Sequence, residues 1–283
     1  MKRTILLMSL SAVLGAGFAL GFSVNAQTPR AASTFTPQST PEGHPDIQGV
    51  WRAWNLAKYD LEDHSAKPGG IPAGRGFVVD PPDGKIPYQE WALKKRQENY
   101  LNTRHADPYQ NADPLAKCYM PGVPRLTYLG WPFQIIQTDE DVNFAYEWSH
   151  KKRLVPITDK WGPRPTDRED PLNNRWNGMA RGRYDGNTLV VDLTNFNGYT
   201  WFDMAGNFHS DALHVVERYT LIGPDELQYE ATMEDQKVFT RPWTIRMVLQ
   251  RQKDIGLLDY ECTAMLDELG IHHTWPRDFD VVK

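Results

Sequence analysis

From about Asp107 onward the chain alternates apolar and polar positions with a period of two. In DVNFAYEWSH, Val142, Phe144, Tyr146 and Trp148 share one face, and Asn143, Ala145 and Glu147 take the other. RYDGNTLVVDLTNF places Asp-Gly between two alternating runs, the signature of a tight hairpin. ALHVVERYTLI and LQYEATMED flank GPDE as a second hairpin, and WTIRMVLQRQ and LLDYECTAM predict two more strands. Gly49-Val50-Trp51 predicts an opening strand, and Gly76 to Val79 a short one inside a Gly/Pro-rich loop. YQEWALKKRQENYLNTR has no Gly or Pro and predicts a helix in the N-terminal third. About eight to ten strands between Trp51 and Cys262, mostly joined by short turns, predict a mainly β chain. Such a pattern fits an antiparallel meandering barrel or sandwich, and the expected architecture is a β-barrel of the lipocalin or calycin kind.

The ends of the chain read differently. Lys2 and Arg3 precede an apolar stretch from Ile5 to Phe22, and Val24 and Ala26 stand where a signal peptidase reads. Residues 1–26 are therefore expected to be a Sec-type signal peptide, with an uncleaved anchor as the rival. Residues 27–44, rich in Ser, Thr and Pro, predict a flexible lead-in, and 45–283 a single barrel domain whose tail, GIHHTWPRDFDVVK, wraps the outside. A periplasmic or secreted chain with two cysteines, Cys118 and Cys262, predicts one disulfide. A net charge of -5 argues against a nucleic-acid partner, and no membrane contact is expected after signal cleavage. A homo-oligomer stays open.

Candidate chemistry concentrates in TWFDMAGNFHSDALHVVERYT, Thr200 to Thr220. Alternation puts Leu213, Val215, Glu217, Tyr219 and Leu221 on one face, so Glu217 needs a cation or a proton. Arg181, Arg183 and Arg246 are the candidate partners for a structural pair; a raised carboxyl for acid–base catalysis is the alternative. His209 follows a turn, and Asp211, with Ser210 nearby, would orient its imidazole. The catalytic candidates are His209, Glu217, Tyr146 and Asp211. The binding candidates are Arg183, Arg218, Arg125, Trp201, Trp148, Phe144 and Asp203. His214, His272 and His273 add nothing with metal-ligand spacing, so no metal is expected. Without a Gly-x-Gly-x-x-Gly or a P-loop, no nucleotide cofactor is expected either.

DIQGVW, VVDPPDGKIP, CYMPGVPR, RYDGNTLVVD, FHSDALHVVERY and RPWTIR together resemble a family of exported, mostly uncharacterised bacterial β-rich proteins. The resemblance runs from about Asp46 to Cys262, and the family's recurrent residues land on Trp201, Asp203, His209, Ser210, Glu217, Arg218 and Trp243. The family's Asp-Gly-Arg-His-Pro segment is replaced here by PITDKWGPRP. The chain also resembles exported proteins of aromatic-degrading bacteria that open the phenylcoumaran ring of lignin dimers. That resemblance implies a cofactor-independent lyase or hydrolase acting on a phenolic small molecule. A base would take the phenol proton, the benzylic C–O bond would break, and Arg183 or Arg218 would stabilise the departing phenolate. Two alternatives stand beside it: a lipocalin-like carrier without chemistry, and an enzyme on a uronic-acid polysaccharide.

Overall fold

The computed structural model describes residues 35–103, 112–158 and 176–263. The expected signal segment 1–26 and the tail from 264 lie outside the described residues. The helix predicted by YQEWALKKRQENYLNTR forms as α1, Glu90–Asn102. Ten strands of one sheet follow the alternating pattern: β1 Gly49–Arg52, β2 Val78–Asp80, β3 Phe133–Gln137, β4 Asp141–Tyr146, β5 Lys152–Pro156, β6 Met179–Asp185, β7 Thr188–Thr194, β8 His214–Gly223, β9 Glu226–Glu234 and β10 Trp243–Gln252. The chain is mainly β, as its periodicity predicts.

The strands run in the order β5-β4-β3-β1-β10-β9-β8-β7-β6, with β2 added on β10. Every ladder is antiparallel, so directions alternate along this path and its two end strands, β5 and β6, point the same way. Parallel neighbours need a long connection, and residues 157–178 separate these two strands in sequence. The end strands do meet: Ile157 forms a parallel bridge with Gly182, and Thr158 N–H donates to the Gly182 carbonyl at 2.9 Å. Gly182 suits this seam, because a Cβ there would stand 2.8 Å from Val155 Cγ1. The sheet is thus barrel-like, yet among the described residues no continuous ladder closes it.

Alternation decides what faces inward. On β8, Val215, Glu217, Tyr219 and Leu221 are buried while His214, Val216, Arg218 and Thr220 are only partly so, as the spacing predicts. On β5, Arg153 is buried on the same face as Val155, while Leu154 is 53% exposed. LLDYECTAM, predicted as a strand, is a correction. The β10 edges are taken by β9 and β1, and among the described residues the segment pairs with no strand of the sheet. Its described part, residues 257–263, is largely exposed and meets the turn after β4 through a Tyr260–Trp148 bridge.

Two short pieces complete the frame. Asp113 caps a 3₁₀ turn, Pro114–Lys117, by accepting from Leu115 N–H at 3.0 Å. One turn of helix follows as α2, Arg125–Tyr128, every residue of it buried. The predicted disulfide forms between Cys118 and Cys262, tying the 3₁₀ turn to the end of the surface segment. Part of the predicted lead-in is ordered: Thr40 N–H donates to the His44 carbonyl at 2.8 Å, and His44 stacks on Tyr184.

Candidate functional site

Inside the barrel, strands from opposite walls bring together an ion pair and phenols. Arg153 of β5 donates from Nη1 to Glu217 Oε2 at 2.6 Å and from Nη2 to the Tyr219 hydroxyl at 3.0 Å. Tyr219 and Tyr229 both donate to Glu217 Oε1, at 3.0 and 2.7 Å. Glu217 is completely buried, and all its visible partners are donors. The Arg153 guanidinium lies 4.4 Å over the Phe144 ring, which leans on Tyr219. Burial works against the charge on Arg153, but Glu217 and the phenols of Tyr146, Tyr219 and Tyr229 hold its pKa above the usual value. Burial pushes the Tyr219 and Tyr229 phenols well up, with Glu217 adding to the effect. Tyr146 is pushed up to about 12 by burial, against a lowering pull from Arg153.

The predicted partners of Glu217 are corrected. Arg181 and Arg183 flank inward-facing Gly182 on β6 and so point outward, where Arg181 lies 3.7 Å from Asp192. Arg246 lies on the outer face of β10 and donates to Glu230 at 2.6 Å. The cation is Arg153. Hydropathy hides it, because in KKRLVP the eye places Leu154 inward.

The 200–211 loop forms a second, separate cluster. His209 is 2% exposed, with Nδ1 2.8 Å from the Ser210 carbonyl and Nε2 2.7 Å from Thr200 Oγ1. The carbonyl can only accept, so Nδ1 carries the proton and Nε2 accepts from the Thr200 hydroxyl. Burial lowers the pKa of His209, which keeps this neutral form. Asp211 does not orient the ring as predicted; it sits at the surface and pairs with Lys237 at 2.8 Å. Ser210 donates to Asp235 at 2.9 Å, and its backbone N–H does so at 2.7 Å.

Asp203 is fully buried and organises the loop. It accepts from the N–H groups of Leu61, Ala205 and Asn207 and from Asn207 Nδ2, at 2.9, 2.9, 3.2 and 2.6 Å. Burial, then the nearby Asp60, pushes its pKa up to about 7. Gly206 at φ +83° makes the turn possible, since a Cβ there would lie 2.6 Å from the Arg96 carbonyl. Trp201 pairs across this turn with Phe208.

The remaining binding candidates lie apart. Arg125 is buried and bidentate to Asp113, at 2.8 and 2.7 Å. Arg218 pairs with Asp185 at 3.1 Å on the outer face. Arg183 is half-buried on the outer side of β6. Trp148 packs against Trp131 and Tyr260 beside the surface segment. Of the predicted residues, Glu217, Tyr146 and Phe144 come together; His209, Asp203 and Trp201 form the loop cluster. Arg153, Tyr229 and Thr127 of α2 were not foreseen. Two open surface cavities of about 530 and 500 Å³ are lined by other residues, such as Arg251 and Gln48 in one and Arg52 and Trp131 in the other.

No protein-family model matches the chain, and no curated protein matches it. Among solved structures, the crystal structure of the fluorescent protein UnaG N57A mutant is similar over 44% of this chain and 72% of its own, with 12% identity and a TM-score of 0.25. The architecture therefore rests on the strand order and register above.

Proposed function

We propose that the chain is an exported, cofactor-independent lyase or hydrolase that uses acid–base chemistry on a phenolic, lignin-derived molecule. Ring opening of phenylcoumaran dimers is the reaction that suits it best. The supporting observation is the Glu217–Arg153 pair, bound to Tyr219 and Tyr229 among aromatic side chains in the barrel interior. Burying these groups costs desolvation that apolar side chains of similar volume avoid. They are also the groups that phenol chemistry requires.

Glu217 takes the proton of the para-phenol, releasing a hydrogen bond from Tyr229 or Tyr219. The benzylic C–O bond breaks, its electron pair leaves on the aryl oxygen, and the phenol ring becomes a quinone methide. Glu217 then returns the proton to that oxygen. Tyr146, held at about 12, stays protonated and donates to the developing phenolate, while Arg153 supplies positive charge. Arg153 takes the role that Arg183 or Arg218 was expected to fill.

One observation favours a carrier as the second reading. Glu217 already accepts three hydrogen bonds, so it acts as a base only after a phenol turns away. Incubating the purified protein with a panel of phenylcoumaran dimers, with chelator and no added cofactor, separates the two. Conversion supports the enzyme; tight binding by tryptophan quenching without conversion supports the carrier; neither result overturns both.

A further inference from the structure

Three polar atoms beside the interior ion pair are buried and have no hydrogen-bond partner among the described residues: Thr127 Oγ1, the Tyr146 hydroxyl and Arg153 Nε. Their residues are 0, 3 and 5% exposed. Leaving one such group unpaired is costly, so three of them around one ion pair call for a partner. Resting on the reading that the interior takes a phenolic ligand, we propose that these atoms form a subsite for one neutral oxygen of that ligand. Thr127 is its specificity-determining residue.

The position of Thr127 is fixed from both sides. Its neighbour Tyr128 donates to the Phe202 carbonyl at 2.9 Å, and Arg125 holds Asp113 through two bonds. A helical threonine commonly satisfies its hydroxyl on the preceding turn of its own backbone. Thr127 does not. Its hydroxyl is close enough to the Tyr146 and Tyr219 phenols to lower the pKa of both as a weak hydrogen-bond partner, yet it meets full hydrogen-bond distance and angle with neither. Tyr219 and Tyr229 spend their hydroxyl protons on Glu217, which leaves Tyr146 as the interior phenol able to donate elsewhere.

The donor set selects the guest. Arg153 Nε is a donor only, so the guest atom must carry a lone pair, while the two hydroxyls can either give or accept. Arg153 and Glu217 already cancel in charge. A carboxylate would leave one uncompensated negative charge in a buried site, whereas a phenolic hydroxyl or an ether oxygen adds none. The subsite therefore takes a phenol or aryl ether and rejects an aromatic acid.

The test uses 2-methoxyphenol and benzoate as probes, with binding followed by tyrosine difference absorbance. Wild type should bind 2-methoxyphenol and discriminate against benzoate. Thr127→Val, which replaces the hydroxyl by a methyl group, should weaken 2-methoxyphenol about tenfold, or about 1.4 kcal/mol, and Thr127→Ser should restore it. If Thr127→Val does not fold, Tyr146→Phe provides the same readout by deleting the second hydroxyl and keeping the ring. Unchanged affinity in these variants, with wild type binding the probe, overturns the subsite and leaves the proposed function standing. Absence of probe binding and of dimer conversion by wild type overturns both.

Discussion

Replacing Arg153 by methionine removes the positive member of a buried pair while keeping an unbranched side chain over Phe144. Glu217 then remains at zero exposure with only the Tyr219 and Tyr229 hydroxyls as donors. Breaking a buried pair from one side typically costs about 3–5 kcal/mol, because the surviving charge stays desolvated. Glu217→Gln in the same chain removes that charge yet keeps a side-chain oxygen to accept from the two phenols. The double variant should therefore recover more than about 2 kcal/mol of the loss, a coupling far above the ~0.5 kcal/mol scatter of independent sites. Urea unfolding at pH 7, followed by tryptophan fluorescence with the disulfide intact, measures all four corners of the cycle. A cost below about 1 kcal/mol for Arg153→Met, or no recovery in the double variant, would refute the buried pair as the electrostatic centre of the barrel.

Three further outcomes follow from named contacts. Reducing or mutating the Cys118–Cys262 bridge, which spans 144 residues, should cost about 5 kcal/mol in the chain-entropy description, read as a lower urea midpoint. His209→Ala should cost about 1–3 kcal/mol, because the buried Ser210 carbonyl and Thr200 hydroxyl lose their partner, while turnover per folded molecule persists. Asp203 has a folded-state value of about 7 against an ordinary 3.8, so the folded chain holds this proton more tightly than the unfolded one. Its stabilising contribution is complete below the ordinary value and is lost as pH rises through about 7. Thermal melts across that window should fall with rising pH, and Asp203→Asn should flatten the slope.

The strands were legible because one face of each is buried, and burial imposes the period of two. That rule put Glu217 among Val215, Tyr219 and Leu221 correctly. It holds on β5 too, yet Arg153 went unseen: it shares the inward face with Val155, and the register against Phe144 of β4 brings it into the interior. Register is a property of two strands and cannot be read from one. LLDYECTAM misled because alternation within one segment does not supply a partner strand: its described part pairs with no strand of the sheet. The chemistry-rich loop around His209 also reads ambiguously in sequence. His, Ser and Asp serve a buried hydrogen-bonded corner as well as a catalytic site, and only the partners of each ring nitrogen tell the two apart. Thr127 left no signal at all, since its importance lies in a hydroxyl that fails to find a partner.

The central claim is that the interior cluster, and Glu217 within it, performs the chemistry. Chiral chromatography of a racemic phenylcoumaran dimer, after incubation with wild type and with folded Glu217→Gln, tests it most directly. Wild type should consume one enantiomer and Glu217→Gln neither. Equal consumption by both proteins, or loss of both enantiomers at the rate seen in buffer, would contradict it.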